Sequence, residues 1–410
     1  MRHVDAFPEA AGSLAPVDRP IIVQSHLRWD FVWQRPQQIL SRLAEHRPVL
    51  FVEEPIFLDD LSSSKLDITV PHANVFRAVP RLPGIFRDDY ERGIAEIRGL
   101  VQNAILPGGE LQRTFNNPIQ WFYSPFTAPA MLGAFNEVAV VYDCMDELSQ
   151  FRFAHPDLVR RERLLLANAD VVFTGGYKLF ESKRRYHDNV HFFGCGVDNR
   201  HFGKARQPET VVPADIASLP QPVFGYFGVI DERIDYDLVR TLAESRPDAS
   251  VVMVGPVVKV DPATLPKASN IHWLGQRDYS ALPGYVKGFT VCLMPFALNE
   301  ATEFINPTKT LEYMAAGKPI VSTAVADVVR NFTPVVSVAG SAREFVALTN
   351  QAAVNPDRSL VAQGIEMAAN ASWDSIVGKM RKLISEVSET TAPTIRVARR
   401  AERLGELAVQ

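Results

Sequence analysis

Short apolar runs alternate with helix-period segments along this chain, and the alternation stops once and then restarts. Residues 20–25 and 48–53 read as strands, with Ile39, Leu40, Leu43 and Ala44 at helical spacing between them. A crossover of that length implies parallel pairing, so the chain opens as a β-α-β unit. Strands are expected near 66–70 and 75–78, and a helix over 89–105. Further strands follow at 118–123, 138–142, 169–174 and 190–193, with an amphipathic helix over 158–168. Between about 203 and 221 proline and polar residues gather, the composition of a linker. The alternation then resumes at 223–229, 238–245, 250–254, 271–273, 290–294, 320–323 and 335–338, and a last amphipathic helix covers about 373–387. The pattern predicts an α/β protein of two Rossmann-like, doubly wound domains, the first over 1–205 and the second over 220–372.

Length agrees with two domains, since 410 residues exceed one ordinary core. A 47% hydrophobic and 22% charged composition is that of a soluble globular protein. The formal net charge of −4 argues against a nucleic-acid partner recruited by global positive charge. The basic runs Arg160-Arg161-Glu162-Arg163 and Lys183-Arg184-Arg185 read as solvated helix faces, with a patch facing anionic lipid or an acidic acceptor as the alternative. Cys144, Cys195 and Cys292 are far apart and odd in number, without metal-ligand spacing; buried free thiols and a reducing cytoplasm are expected. Residues 1–20 lack the apolar core of a signal peptide, and no run is long enough to span a bilayer. Membrane contact, if any, is expected to be peripheral.

The segment from Asn306 to Pro319 reads as a short helix with both ends marked. Asn306 suits the N-cap and Pro307 the first helical position, while Gly317 suits the left-handed residue after the last turn and Pro319 stops continuation. Its first turn carries Thr308, Lys309 and Thr310 and no acid, which suggests that the anion favoured at a helix start comes from outside, as a phosphate. Glu312 lies one turn deeper on the face of Thr308, where a carboxylate can take ribose hydroxyls. A capped surface helix with a solvated lysine is the competing reading.

In open parallel sheets ligands bind beyond the carboxyl ends of the strands, so the loops there supply the other candidates. Gly228 and Arg233 follow the first strand of the second unit; the glycine lets backbone approach a ligand and the arginine suits a diphosphate. Glu303 lies in the loop that feeds the Pro307 helix, placed either to contact a sugar or to pair with Lys309. Asp143 and Asp146 end a buried strand of the first unit, where acids can orient a hydroxyl or take its proton, unless Asp146 caps the next helix. His26, Arg28, Trp29 and Asp30 follow the first strand, and Arg35 stands beside Pro36; all five are acceptor-side candidates facing a cleft. No Gly-x-Gly-x-x-Gly follows the first strand, and no Gly-x-x-x-x-Gly-Lys-Ser/Thr is present.

With those residues in view, the chain resembles the GT-B-fold glycosyltransferases, especially the bacterial family-four type and its teichuronic-acid and surface-polysaccharide branch. The resemblance covers roughly 20–390 and rests on several blocks in order. They are Trp33 to Gln38 with Glu53-Glu54-Pro55, Tyr142 to Glu147, Gly196-Val197-Asp198 with Phe202, and Pro307 to Pro319. It implies two domains facing across a cleft, the sugar nucleotide held mainly by the second, and a last helix, about 373–390, crossing back to the first. It implies that Glu312 matches the ribose-binding glutamate. It also implies hexosyl transfer with retention and no metal or other cofactor, the departing diphosphate being stabilised by cations such as Arg233 and Lys309. The donor is then a nucleotide sugar, a UDP-sugar first among candidates, and the acceptor a glycan or lipid-linked glycan at the inner face of the cell membrane. Two features depart from the pattern: the position eight before Glu312 is Phe304, leaving Glu303 one residue out of register, and His26 to Phe31 replace the usual glycine-rich loop. A sugar-nucleotide epimerase of the same fold and a non-catalytic homologue are the alternatives.

Overall fold

The computed structural model describes residues 19–151 and 154–389. The first sheet contains β1 (Ile21–Gln24), β2 (Val49–Val52), β3 (Ile56–Leu58), β4 (Lys65–His72), β5 (Val75–Pro83), β6 (Ile119–Phe122), β7 (Ala139–Cys144), β8 (Val171–Thr174) and β9 (Val190–Phe192). Its order is β3-β5-β2-β1-β6-β7-β8-β9, with β4 antiparallel on β5 and the remaining pairs parallel. The second sheet contains β10 (Val223–Phe227), β11 (Ser250–Val254), β12 (Ile271–Gly275), β13 (Val291–Met294), β14 (Ile320–Thr323) and β15 (Ser337–Ala339). It is wholly parallel in the order β12-β11-β10-β13-β14-β15. Each sheet reverses direction of growth beside its first strand, between β1 and β6 and between β10 and β13. Those two reversals are where doubly wound sheets open a crevice for ligands.

The central strands are buried along their whole length, β1, β2, β6, β8 and β13 among them. Helices cover both faces, which is why these strands read as continuous Val, Ile, Leu and Phe runs and not as alternating ones. The expectation of two doubly wound α/β units is met. The short strand β3 had no separate reading, because three apolar residues after Glu-Glu-Pro look like loop.

The expected linker at 203–221 is not a loose tether. Ala205 and Ile216 are buried in the core of the second domain, the latter from a short helix, Ala214–Ala217. The chain crosses between domains earlier, and it crosses back beside the same place. Val197 and Ser372 form an isolated parallel bridge, and the Val197 N–H donates to the Ala371 carbonyl at 2.8 Å. Gly196 lies against Trp373 so closely that a Cβ would sit 2.8 Å from its ring. Beyond Trp373 the final helix, Trp373–Glu389, packs on the first domain: Trp373, Val377, Met380 and Ile384 share a core with Ile39, Leu40 and Trp121.

Both basic runs proved partly structural. Arg161 is buried, donating to Glu91 at 2.5 Å and to the Phe126 carbonyl at 2.6 Å. Lys183 is buried between Glu147 at 2.6 Å and Glu162 at 2.8 Å. Their long stems bury well, which a charge count along the sequence cannot register.

Trp373 joins the last helix to the crossing point, and truncating it leaves a large cavity. Trp373→Ala is expected to lower the unfolding free energy by about 3–5 kcal/mol, measured by urea denaturation.

Candidate functional site

A cleft of about 640 Å³ is lined by both domains. His26, Glu54 and Asp146 belong to its first-domain wall, and Asp231, Arg233 and Lys259 to its second. A smaller recess of about 120 Å³ continues from it, lined by Arg35, Asp146, Cys195, Tyr226, Arg233 and the segment from Ile305 to Lys309. Of the residues singled out from the sequence, Asp146, Arg233, Asn306, Thr308, Lys309 and Arg35 therefore meet at one recess although they come from four segments of the chain.

Lys309 opens the helix Lys309–Ala315. Its ammonium lies 5.5 Å from the Tyr226 ring centre, and among the described residues it has no ion-pair or hydrogen-bond partner. Burial lowers its pKa, opposed by the Glu312 charge. Burial likewise pushes the Glu312 carboxyl up to about 7, opposed by Lys309. Glu312 is also without a hydrogen-bond partner among the described residues. An acid and a base, both partly dehydrated and unpaired, are poised to gain from a ligand.

Gly228 explains how Lys309 reaches this place. It has φ +138°, and a Cβ there would fall 2.0 Å from Lys309 Cε. Only glycine leaves room for the lysine at that backbone angle. The C-terminal end of the helix closes as expected: Gly317 has φ +69°, its N–H donates to the Met314 carbonyl at 2.9 Å, and the Lys318 N–H donates to Tyr313 at 3.1 Å.

The N-terminal end differs from expectation. The helix begins at Lys309 behind Thr308, which makes no side-chain cap, and Asn306 does not cap it. The Asn306 carbonyl accepts from Cys195 Sγ at 2.9 Å, and its side-chain Oδ1 is buried with no partner among the described residues. Cys195 is accordingly half-buried at the domain boundary, while Cys144 and Cys292 are buried. Thr310, taken as a ligand contact, is wholly buried with its hydroxyl on Met294 Sδ at 3.5 Å; successive helix residues point about 100° apart, which turns it from the recess into the core.

Arg233 is held by Asp231 through two parallel contacts, Nε to Oδ1 at 3.0 Å and Nη2 to Oδ2 at 2.8 Å. This fixes the guanidinium plane and leaves Nη1 without a partner among the described residues. Glu303 pairs with Lys178 of the first domain and not with Lys309. Gly176, which starts the helix bearing Lys178, meets the Phe304 carbonyl at 2.5 Å from an ideal Cβ, so the loop bearing Glu303 rests on the first domain.

On the first-domain side the two aspartates part company. Asp143 is wholly buried and bound by Arg35, Nη2 to Oδ1 at 2.8 Å and Nε to Oδ1 at 3.1 Å. Arg35 also donates to the Phe193 carbonyl at 2.8 Å. This pair is structural, which corrects the reading of Asp143 as an acceptor-orienting acid. Asp146 caps nothing and lies in the cleft; burial raises its pKa and Arg233 opposes the rise. Three other acceptor-side candidates are committed elsewhere. Arg28 donates to Glu53 at 3.0 Å and to the Glu54 carbonyl at 2.6 Å, Trp29 is 4% exposed with its N–H on Glu53, and Asp30 pairs with Arg77 at 2.5 Å. Glu53 is thus a buried hub that shapes the loop, joining Arg28, Trp29 and Arg77. His26 does face the cleft, and burial with the nearby Lys259 charge lowers its pKa to about 4, so its imidazole is neutral.

Lys259 escaped the sequence reading. It follows β11, has φ +60°, and lies 4.6 Å from the Phe151 ring centre across the cleft. The signal available was its place in a loop beyond a strand's carboxyl end. Among the described residues no three His, Cys, Asp or Glu side chains are grouped to hold a metal, and no helix is long and apolar enough to cross a membrane.

Comparison with known proteins agrees with this geometry. Residues 221–355 match the family model described as glycosyl transferases group 1. A Bacillus subtilis (strain 168) protein described as a teichuronic acid biosynthesis glycosyltransferase, TuaH, is 25% identical over 223 residues. That match spans about half of each protein, 50% of this chain and 54% of the relative. The sucrose-phosphate synthase of Thermosynechococcus elongatus superposes with a TM-score of 0.67 at 15% identity, over 91% of this chain and 100% of that one. The trehalose-6-phosphate structure from E. coli bound with UDP-2-fluoro glucose gives 0.64 at 14% identity, over 91% and 100%. The two sheets are therefore the two halves of a GT-B fold, and residues 221–355, the second half, are the part that matches the glycosyl transferases group 1 model.

Proposed function

We propose that this chain is a nucleotide-sugar-dependent glycosyltransferase that retains anomeric configuration, needs no metal, and extends a cell-surface polysaccharide. The observation that carries the reading is the convergence of Lys309 and Arg233, from two loops at the second sheet's reversal, on one recess closed by Asp146 of the first domain. A departing nucleoside diphosphate needs charge neutralised as the glycosidic bond breaks. Lys309 and Arg233 would supply it from a site already shielded from water. Lys309 is the stronger of the two, because Arg233 is already half-neutralised by Asp231. Glu312, one helical turn below Lys309, would accept the ribose hydroxyls. Asp146, on the facing wall, would orient the acceptor hydroxyl. A UDP-sugar is the first donor to test, because the similar E. coli structure is bound with UDP-2-fluoro glucose. The surface-polysaccharide acceptor is supported by the similarity to TuaH.

Thermal shift against nucleotide sugars, with and without EDTA, tests the donor, and product analysis tests the reaction. A selective, EDTA-insensitive rise in the midpoint with one nucleotide sugar is expected, with free nucleoside diphosphate formed only when acceptor is added. An isomerised nucleotide sugar formed without acceptor would instead identify an epimerase.

Lys309→Ala is expected to lower kcat by about 10²–10³-fold while changing donor affinity by less than about tenfold. Wild-type turnover in that variant would remove the leaving-group role.

The carboxyl of Glu312 gives a pH signature. Its folded pKa is raised to about 7, so its contribution to stability is full below the unfolded value and is lost as pH rises through about 7. Glu312→Gln is therefore expected to be more stable than the parent at pH 8 by roughly 1–3 kcal/mol. The two should converge near pH 4 in chemical denaturation, while the variant binds the donor more weakly.

A further inference from the structure

A second cavity lies in the first domain alone. It measures about 200 Å³ and opens beside the cleft, sharing His26, Glu54, Tyr90, Ser124 and Phe126 with it. Its floor is formed by residues at or just past the carboxyl ends of β1, β2 and β6, namely Gln24, Val52 and Ser124. That is the reversal point of the first sheet, the counterpart of the place where Lys309 and Arg233 meet in the second. Its walls are largely apolar, with Phe57, Phe86, Ile94, Ile97 and Phe126 around it and the acids Glu53 and Glu54 on one side.

Close-packed cores do not leave voids of this size by default. This one also holds polar atoms that nothing in the fold satisfies. Gln24 Nε2, His26 Nδ1 and Thr127 Oγ1 are all buried without a partner among the described residues, and all three belong to residues lining the cavity. Gln24 is 2% exposed, so its amide is cut off from bulk water. A buried amide N–H left unpaired costs about 1–3 kcal/mol. An apolar chamber with a few convergent polar groups is the usual form of a small-molecule site.

We propose that this pouch binds an uncharged aryl or acyl group of the acceptor molecule, one bearing an oxygen that accepts from the Gln24 amide. No cation lines the pouch to pair with an anion; of its two acids Glu53 is already paired with Arg28 and Arg77, and Glu54 lies at the rim shared with the cleft. The place beside Asp146 and across the cleft from Lys259 puts such a group next to the acceptor hydroxyl. Calling the molecule the acceptor rests on the glycosyltransferase reading; the existence of the site does not.

Gly93 gives a clean test. It lies on the helix Tyr90–Ile105 and lines the pouch, and a Cβ there would make only ordinary contacts, 3.6 Å to the Phe86 carbonyl and 3.8 Å to Leu82. Gly93→Ala should fold, and Gly93→Leu should fill the chamber. Binding of p-nitrophenyl hexosides and of the matching methyl hexosides is measured by ligand-observed NMR, with nucleotide-sugar binding followed in parallel. In the parent, p-nitrophenyl members are expected to bind about tenfold more tightly than their methyl partners. Gly93→Leu should bring that ratio near one without changing nucleotide-sugar binding. Thr127→Val, which removes the hydroxyl at nearly constant volume, should lower it part way and serves if Gly93→Leu loses its fold. Equal affinities in the parent, or a preference undiminished in folded Gly93→Leu and in Thr127→Val, would overturn the proposal. Loss of nucleotide-sugar binding with the preference intact would instead count against the glycosyltransferase reading alone.

Discussion

The buried pair of Arg35 and Asp143 is the contact on which the cleft depends. Arg35 is 3% exposed and Asp143 wholly buried, and the guanidinium uses its remaining edge on the Phe193 carbonyl. Three chain segments are clamped there: the start of the helix Arg35–Ala44, the end of β7, and the exit from β9. Each of those segments runs on into a cleft loop, 26–34, 144–151 or 194–198. Removing one partner would leave the other charge buried, at about 3–5 kcal/mol. A hydrophobic replacement of both can pack as well as a buried ion pair, but it would not fix the angle of three loops through one planar fork.

The two walls of the cleft divide the chemistry. The second domain contributes the mobile-proton and cationic groups, Arg233, Lys259, Lys309 and Glu312, on loops tied down by Asp231 and by the absence of a side chain at Gly228. The first contributes a neutral imidazole at His26, the carboxyl of Asp146 and a largely apolar chamber. One wall of the cleft is thus cationic and the other largely apolar.

Much of this was legible because parallel strands covered on both sides read as unbroken apolar runs, and because glycine and proline marked the end of the helix after Lys309. Lys309 and Glu312 stand out as parts of a helix whose first turn carries a lysine and no acid, and Arg233 and Asp146 lie in loops beyond strand ends. The same rule misjudged Asp143, Arg28 and Trp29, since an acid or cation at a strand end looks alike whether it meets a ligand or a partner 108 residues away, as Asp143 meets Arg35. Thr308 and Thr310 differ by two positions and therefore by most of a half-turn, enough to put one hydroxyl in the recess and the other on Met294. The pouch had no sequence signature at all. It is a property of how the helix Tyr90–Ile105 stands off the sheet, with Gly93 at the gap.

The paired crossings at Val197 and Ser372 have a mechanical consequence. Two connections that run side by side act as a single spine, so the domains are free to pivot without unpacking either core. Movement at such a spine is smallest at the bridge and greatest at the far rim. What opposes it there includes Lys178 with Glu303, Gln276 with the Phe31 carbonyl at 2.5 Å, Gln38 with the Tyr279 hydroxyl at 3.0 Å, the Tyr177 N–H on Asp327 at 2.9 Å, and Arg330 over the Tyr177 ring. The exposed ion pair among them is worth little by itself. The aperture of the cleft is therefore set by a small set of contacts at the end of a long lever, far from the bridge that carries both chain crossings.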